Sequence, residues 1–308
     1  MKDASPQLDA AQTADRLPYP ALVAEIVRLL DDDSVQVPER LVQPLAGGGS
    51  LFVMPAMDSQ VAITKLITFT PANAGTPRAT IQGDVVVFDI ASGARRLVLD
   101  GPTVTARRTA AVSLLAAQRL APNQNGPLLI VGAGVQGRAH LEAFAEGLGI
   151  TEVVIASRSS ASAQALAAQA QRLGLHARVT QDANTALADC PLAVTCTPAC
   201  GVVLEALPRR DGFIAVVGAF TPMMVELGAG LCRHVAETGA VFVDTADALH
   251  EAGDLLQAGL AVGRFATLAA VVRGGLPPSA GPVLFKSCGW AGWDLAAART
   301  ALRSGATS

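Results

Sequence analysis

The residues with the clearest chemical reading are Gly132-Ala133-Gly134-Val135-Gln136-Gly137. Gly132 permits a tight turn, Gly134 removes the side chain that would keep a pyrophosphate from the backbone, and Gly137 lets helix and strand pack closely. A helix opening at this loop would offer its first amide donors to the phosphates. Glycines are common in loops, so the context decides. The apolar run Leu128-Leu129-Ile130-Val131 leads directly into the loop, and a helical pattern from Gly134 to Leu148 leaves it. Strand, glycine loop and helix in that order predict a dinucleotide site that includes Val135 and Gln136.

The next strand selects the nucleotide. About twenty residues after such a loop, NAD enzymes carry an acid for the ribose 2′-hydroxyl. Here the strand ends Ala156-Ser157-Arg158-Ser159, without an acid. A guanidinium flanked by two hydroxyls suits a 2′-phosphate, which Arg pairs bidentately. NADPH is the expected cofactor, with NADH as the alternative.

Lys65 is the second chemical signal. It interrupts the apolar run Val61–Phe69, where a lysine is rarely buried without a partner. The four histidines, His140, His176, His234 and His250, are scattered and form no HExxH, and no GxSxG elbow is present. Cys190, Cys196, Cys200, Cys232 and Cys288 are an odd number without CxxC spacing. They read as reduced, mostly buried small hydrophobes, and no metal is expected.

The elements that must position these residues follow from the wider pattern. A chain of 308 residues accommodates two domains. Tyr19 to Leu30 has helical apolar spacing ended by Asp31-Asp32-Asp33. Short β-rich runs come next, at Leu51–Met54, Val61–Phe69, Val85–Ile90 and Arg96–Leu99, separated by Gly, Pro and Asn as in an antiparallel or mixed sheet. Thr103 to Leu120 reads as an Ala-rich helix with Thr103 as its N-cap. Beyond Gly126, strands and helices alternate: apolar strands recur at Leu192–Thr195, Phe213–Val217 and Val241–Val243, which predicts a doubly wound parallel sheet. The segment from about Leu284 reads as strand and then helix (Trp293–Arg303), returning to the first domain. The fold class is therefore α/β: a Rossmann domain over 119–285 and a discontinuous α+β domain formed by 1–118 and 286–308.

Composition excludes several classes. The net charge of -3 and the lack of basic clusters beyond pairs such as Arg95-Arg96 and Arg107-Arg108 give no footprint for nucleic acid. No run of about 18 apolar residues is present, so no membrane span is expected. The polar, acidic N-terminal stretch does not read as a signal peptide, and a cytoplasmic location is expected.

Several short motifs occur in one order: Met54-Pro55, Thr64-Lys65-Leu66-Ile67-Thr68-Phe69, Thr105-Ala106-Arg107-Arg108-Thr109-Ala110-Ala111-Val112-Ser113, Gly132-Ala133-Gly134-Val135-Gln136, Gly253-Asp254 and Phe285-Lys286-Ser287. In this order and over nearly the whole chain, the sequence resembles the ornithine cyclodeaminase/μ-crystallin family. The resemblance implies a homodimer, with an active site in a cleft between the two domains. It implies that Lys65, Arg108 and Arg40 hold a substrate carboxylate against the nicotinamide, and that Met54, Thr80 and Gln82 line the substrate side. It also places Thr109, Thr195, Thr197 and Ser287 toward the nicotinamide half or the phosphates, although each hydroxyl could equally serve a helix or a turn. Charge-assisted bonds from Lys and Arg would fix an amino-acid-like carboxylate for hydride transfer.

One departure is informative. Cyclodeaminases of the family carry an acid near the position of Phe220 in Val217-Gly218-Ala219-Phe220, and phenylalanine does no acid–base work. The departure favours simple reduction of a small cyclic imino acid, Δ1-pyrroline-2-carboxylate or Δ1-piperideine-2-carboxylate, to L-proline or L-pipecolate. Glu226 lies close enough along the chain to be the displaced acid. Cyclodeamination of ornithine, an alanine dehydrogenase-like amination, and NADPH-dependent binding of a small ligand without turnover are the other readings.

Overall fold

The computed structural model describes residues 6–73, 76, 78–198, 200–274 and 279–306. In chain order the elements are α1 (Ala10–Asp15), α2 (Tyr19–Leu30), β1 (Leu41–Leu45), β2 (Gly49–Met57), β3 (Val61–Phe69), β4 (Ile81–Asp89), β5 (Arg95–Asp100) and α3 (Gly101–Leu120). There follow β6 (Leu128–Val131), α4 (Val135–Leu148), β7 (Glu152–Ala156), α5 (Ser160–Arg172), β8 (His176–Thr180), α6 (Ala183–Leu187), β9 (Leu192–Thr195) and β10 (Cys200–Leu204). The last are β11 (Phe213–Val216), β12 (Val225–Leu227), α7 (Ala229–Thr238), β13 (Ala240–Val243), α8 (Ala248–Glu251), α9 (Gly253–Gln257), β14 (Ala266–Thr267), α10 (Leu268–Arg273), β15 (Val283–Lys286) and α11 (Ala291–Ala306). The chain divides into two compact units, Met1–Arg108 with Trp290–Ser308, and Thr109–Gly289. The first division falls inside α3 and the second just past β15, against sequence expectations of 118/119 and 285/286.

The first unit is built on an antiparallel sheet of order β1-β2-β3-β4-β5. Side chains alternate across its strands, so Met54, Lys65, Val85 and Leu99 share one face through the pairs Met54–Lys65, Lys65–Val85 and Val85–Leu99. Helix α11 packs against β2, β3 and α2, and Met54, Ile63, Val85, Val87 and Leu97 on that face are buried. The opposite face carries Leu41 (57 % exposed), Leu66 (40 %) and Phe88 (37 %). Arg299 of α11 ties the unit together, with Nε 2.6 Å from Asp58 Oδ2 and Nη2 2.6 Å from Asp32 Oδ2.

The second unit is a parallel sheet of order β14-β13-β15-β11-β9-β6-β7-β8, with a small parallel pair β10-β12 beside it. Strands β6, β9, β11 and β15 are buried along their whole length, as strands covered on both faces must be. Strand order reverses between β6 and β9, and in an open α/β sheet the ligand crevice lies at the strand ends of such a switch point.

Some local expectations needed correction. Helix α3 begins at Gly101, and Asp100 rather than Thr103 caps it: Asp100 Oδ1 accepts the Thr103 N–H at 2.8 Å. Strand β15 pairs with β11 and β13 in the second unit, so only the chain from Trp290 returns to the first. Strands β1 and β8 carried too little alternation to be read. Among the described residues, no helix is long and apolar enough to cross a membrane, and no group of three or more His, Cys, Asp or Glu is placed to hold a metal. Cys190, Cys232 and Cys288 are buried and Cys196 half-buried, all as free thiols; the side chain of Cys200 lies outside what is described.

Candidate active site

In the first unit, the alternation of β3 turns Lys65 onto the face under α11. There it is 1 % exposed, and its Nζ lies 3.1 Å from Asp294 Oδ1. Arg108, two turns into α3, places Nε 3.2 Å from the same oxygen. Asp294 is fully buried in the first turn of α11, where the helix dipole favours an acid. Burial pulls the Lys65 ammonium down to about 8 despite the opposing pull of Asp294, and the Arg108 charge adds to the lowering. Two cations around one carboxylate leave one net positive charge in an apolar surround, an anion-binding arrangement.

Met54 is buried and directly opposite Lys65 in the register. Arg40 is half-buried and immediately precedes β1, whose first residue, Leu41, pairs with Val53 beside Met54. The register separates Gln82 from these residues. Val85 is the partner of Lys65, so Gln82, three positions earlier in β4 and paired with Thr68, falls on the opposite face. Gln82 is exposed and its Nε2 donates to Ala79 O at 3.4 Å. Thr80 precedes the strand, and its carbonyl accepts the Thr70 N–H at 2.8 Å.

In the second unit the glycine loop joins β6 to α4. Gly132 has φ of 115°, and a Cβ there would meet Cys196 O at 2.7 Å. A Cβ on Gly137 would stand 2.1 Å from Gly132 O, so both glycines are required by the close approach of backbone. Gly134 differs: a Cβ would meet nothing within 4 Å. As N-cap of the 14-residue α4, it gives the first amides no side-chain cap. Open space above an uncapped helix N-terminus, bordered by exposed Val135 and half-buried Gln136, fits the pyrophosphate of a dinucleotide.

At the end of β7, Ser159 caps α5 by accepting the Ser162 N–H at 3.2 Å, and Ser157 Oγ accepts the Ser159 N–H at 3.3 Å. Arg158 between them is exposed. The serines thus shape the turn that presents the guanidinium.

The hydroxyls assigned to the cofactor are largely committed elsewhere. Thr195 is fully buried and donates to Glu226 Oε2 at 3.0 Å. Ser287 is buried and donates to Asp244 Oδ2 at 2.9 Å. Thr109 is buried on α3. Thr195 and Ser287 therefore serve as internal braces, each hydroxyl spending its proton on a buried acid. Only Thr197 is half-buried, and its N–H and hydroxyl both donate to Glu226 Oε1.

Three buried acids, Glu226, Asp254 and Asp294, have bonding roles that the sequence did not show. Glu226 joins the ends of β9 and β11 through Thr195, Thr197 and Gly218, and burial raises its carboxyl above the ordinary range. Asp254 accepts the Glu226 and Leu227 amides and pairs with Lys286 at 2.9 Å. Asp294 had one available signal: a lysine inside an apolar strand needs an acid, and Asp294 interrupts an apolar helix. Phe220 is 40 % exposed and offers no acid, and the Glu226 oxygens are occupied by four donors.

Residues 20–305 match the model of the ornithine cyclodeaminase/mu-crystallin family. The chain is 40 % identical over 300 residues to "Delta(1)-pyrroline-2-carboxylate reductase 2" of Burkholderia ambifaria, covering 96 % of this chain and 94 % of that protein. It is 38 % identical over 299 residues to "Delta(1)-pyrroline-2-carboxylate/Delta(1)-piperideine-2-carboxylate reductase" of Azospirillum brasilense, covering 96 % and 94 %. The fold matches that of Thermococcus litoralis Delta(1)-pyrroline-2-carboxylate reductase, solved with NADH and L-proline, at a TM-score of 0.88 and 23 % identity over 98 % of this chain and 97 % of that one.

Proposed function

The chain belongs to the ornithine cyclodeaminase/mu-crystallin family, and on that premise we propose that it is an oxidoreductase acting on C=N bonds. It reduces Δ1-pyrroline-2-carboxylate or Δ1-piperideine-2-carboxylate to L-proline or L-pipecolate, using NADPH. The observation that carries this reading is the buried pair Lys65 and Arg108 on one oxygen of Asp294. Its single net positive charge is balanced by a substrate carrying one carboxylate.

Arg108 anchors that carboxylate with the face of the guanidinium that Asp294 does not use, and Arg40 adds a second anchor from the edge of β1. Lys65 supplies the other cation, and buried Met54 the apolar surface against which a small ring packs. The dinucleotide supplies, when bound, the hydride that the electrophilic C2 of a protonated cyclic imine accepts. Gly132, Gly134, Val135, Gln136 and Gly137 hold its pyrophosphate, Thr197 borders it, and Arg158 pairs with the 2′-phosphate.

Phe220 and the fully bonded Glu226 support reduction over cyclodeamination, because neither acts as an acid or base beside a substrate amine. The apolar outer face of the first unit's sheet, with Leu41, Leu66 and Phe88 exposed, supports a homodimer formed through that face.

The test is NADPH oxidation by the purified protein with each cyclic imine, run beside L-ornithine and beside pyruvate with an amine. Oxidation with a cyclic imine and no ammonia from ornithine is expected. Ammonia release, amine-dependent turnover of pyruvate, or cofactor binding without any imine turnover would each replace this reading with the corresponding rival.

A further inference from the structure

Asp294 is a buried acid on α11 whose Oδ1 is shared by Lys65 Nζ and Arg108 Nε, while its Oδ2 accepts no hydrogen bond. A carboxylate is costly to bury, and more so with one oxygen unsatisfied. What it provides in return is a fixed point common to a strand and a helix. Without it, Lys65 and Arg108 would face each other as like charges in an apolar surround. The neighbours of Lys65 in the sheet register are Met54 and Val85, which are uncharged. The charged groups acting on it are Asp294 from α11 and Arg108 from α3.

We propose that Asp294 is the positioning residue of the reaction, acting through Lys65: it holds the Lys65 ammonium protonated and aimed beside Arg108, so that Lys65 is the group that protonates the imine nitrogen. The inference rests on the imine reductase reading above. In the step, an N–H bond of the ammonium breaks and an N–H bond forms on the ring nitrogen. The ring nitrogen's lone pair becomes the new N–H bond pair, and as C2 takes a hydride from the reduced nicotinamide the C=N π pair becomes the nitrogen's lone pair. Imine, reduced cofactor and one proton give amine and oxidised cofactor, and Lys65, left as a neutral amine, regains its proton from solvent.

Asp294 therefore sets the pH range of activity without touching substrate. A merely structural acid would lower stability and leave that range in place. The discriminating measurements are the high-pH limb of kcat/KM and, independently of turnover, the titration of Lys65 followed by isotope-edited NMR at its Cε in the cofactor-free protein. In the wild type both should lie near the lysine's value of about 8. In Asp294→Asn, loss of the negative charge should move both down by about one pH unit or more, with kcat falling about tenfold to a hundredfold and KM changing less. Asp294→Glu, which keeps the charge but moves the oxygen away from Nζ, should shift the limb less than Asp294→Asn does and lower kcat.

An Asp294→Asn protein that turns over with its limb and Lys65 titration where the wild type has them overturns the inference. If that variant does not fold, Asp294→Glu carries the test alone. Its extra methylene displaces the oxygen from Nζ, so a shifted limb supports the inference, and an unchanged limb with unchanged kcat overturns it. A wild type that reduces no cyclic imine removes the functional reading and the inference together, whereas a wild type that turns over with an Asp294-independent limb removes the inference only.

Discussion

Glu226 holds Thr197 by a single oxygen: its Oε1 accepts the Thr197 backbone N–H at 2.6 Å and the Thr197 hydroxyl at 2.8 Å. Oε2 takes the Thr195 hydroxyl at 3.0 Å and the Gly218 N–H at 2.7 Å. One buried side chain thus fixes the end of β9, which borders the sheet's switch point, to that of β11. Glu226→Gln replaces an acceptor with an NH₂ donor that faces other donors. It should cost about 3 kcal/mol in chemical denaturation and raise the KM for NADPH, because Thr197 loses its tether. Unchanged stability together with an unchanged KM would show that Glu226 braces nothing the cofactor depends on.

Arg158 stands exposed between two serines at the end of β7, where no acid is available for a ribose hydroxyl. Arg158→Ala should raise the KM for NADPH about tenfold or more, the worth of a charge-assisted pair, and leave NADH kinetics nearly unchanged. Equal coenzyme preference in the variant and the wild type would remove Arg158 from the 2′-phosphate.

His140 is buried between α3 and the start of α4, with Nδ1 2.7 Å from Gln136 O and Nε2 3.0 Å from Ser113 Oγ. Burial lowers it to about 4 from the ordinary histidine value of 6.5, opposed by the Gln136 carbonyl. Between those values the unfolded chain binds a proton that the folded chain does not, so stability falls as the pH drops from 6.5 toward 4. The loss from this residue is of the order of 3 kcal/mol. His140→Gln should be less stable at neutral pH, and its stability should fall less steeply through that window. Parallel stability–pH curves for the two proteins would contradict the assignment.

The outer sheet face gives a prediction about assembly. Leu66 lies one residue from Lys65 but on the opposite face of β3, 40 % exposed. Leu66→Glu should shift the sedimentation coefficient from dimer toward monomer and leave the Lys65–Asp294–Arg108 cluster intact. A wild type that sediments as a monomer, or a variant as dimeric as the wild type, would place any interface elsewhere.

Much of the second unit was legible in the sequence because its signals are local. A four-residue apolar strand, three spaced glycines and a helix are contiguous, and Gly137 answers to the backbone of Gly132 in the same loop. Gly132 and Gly137 crowd neighbouring backbone and Gly134 opens onto free space, as the spacing implied. The same holds for Arg158 and its serines, which form one turn. The order of motifs identified the family for a related reason: order along the chain is a property of sequence alone.

Tertiary structure alone decided which groups meet. Lys65 and Asp294 are 229 positions apart, and only the packing of α11 on β3 puts a carboxylate over that lysine. The sequence showed that a buried lysine needs a partner and left the partner unnamed. Gln82 was read as a lining residue from its place in the motif order, but a strand alternates faces with a period of two, so an odd offset from Val85 puts it on the opposite face. Thr195 and Ser287 have the right residue type for a ligand, and the buried acids Glu226 and Asp244 claim both hydroxyls. Residue type and spacing fix what a group can do; which partner satisfies it depends on chain segments brought together only when the core closes.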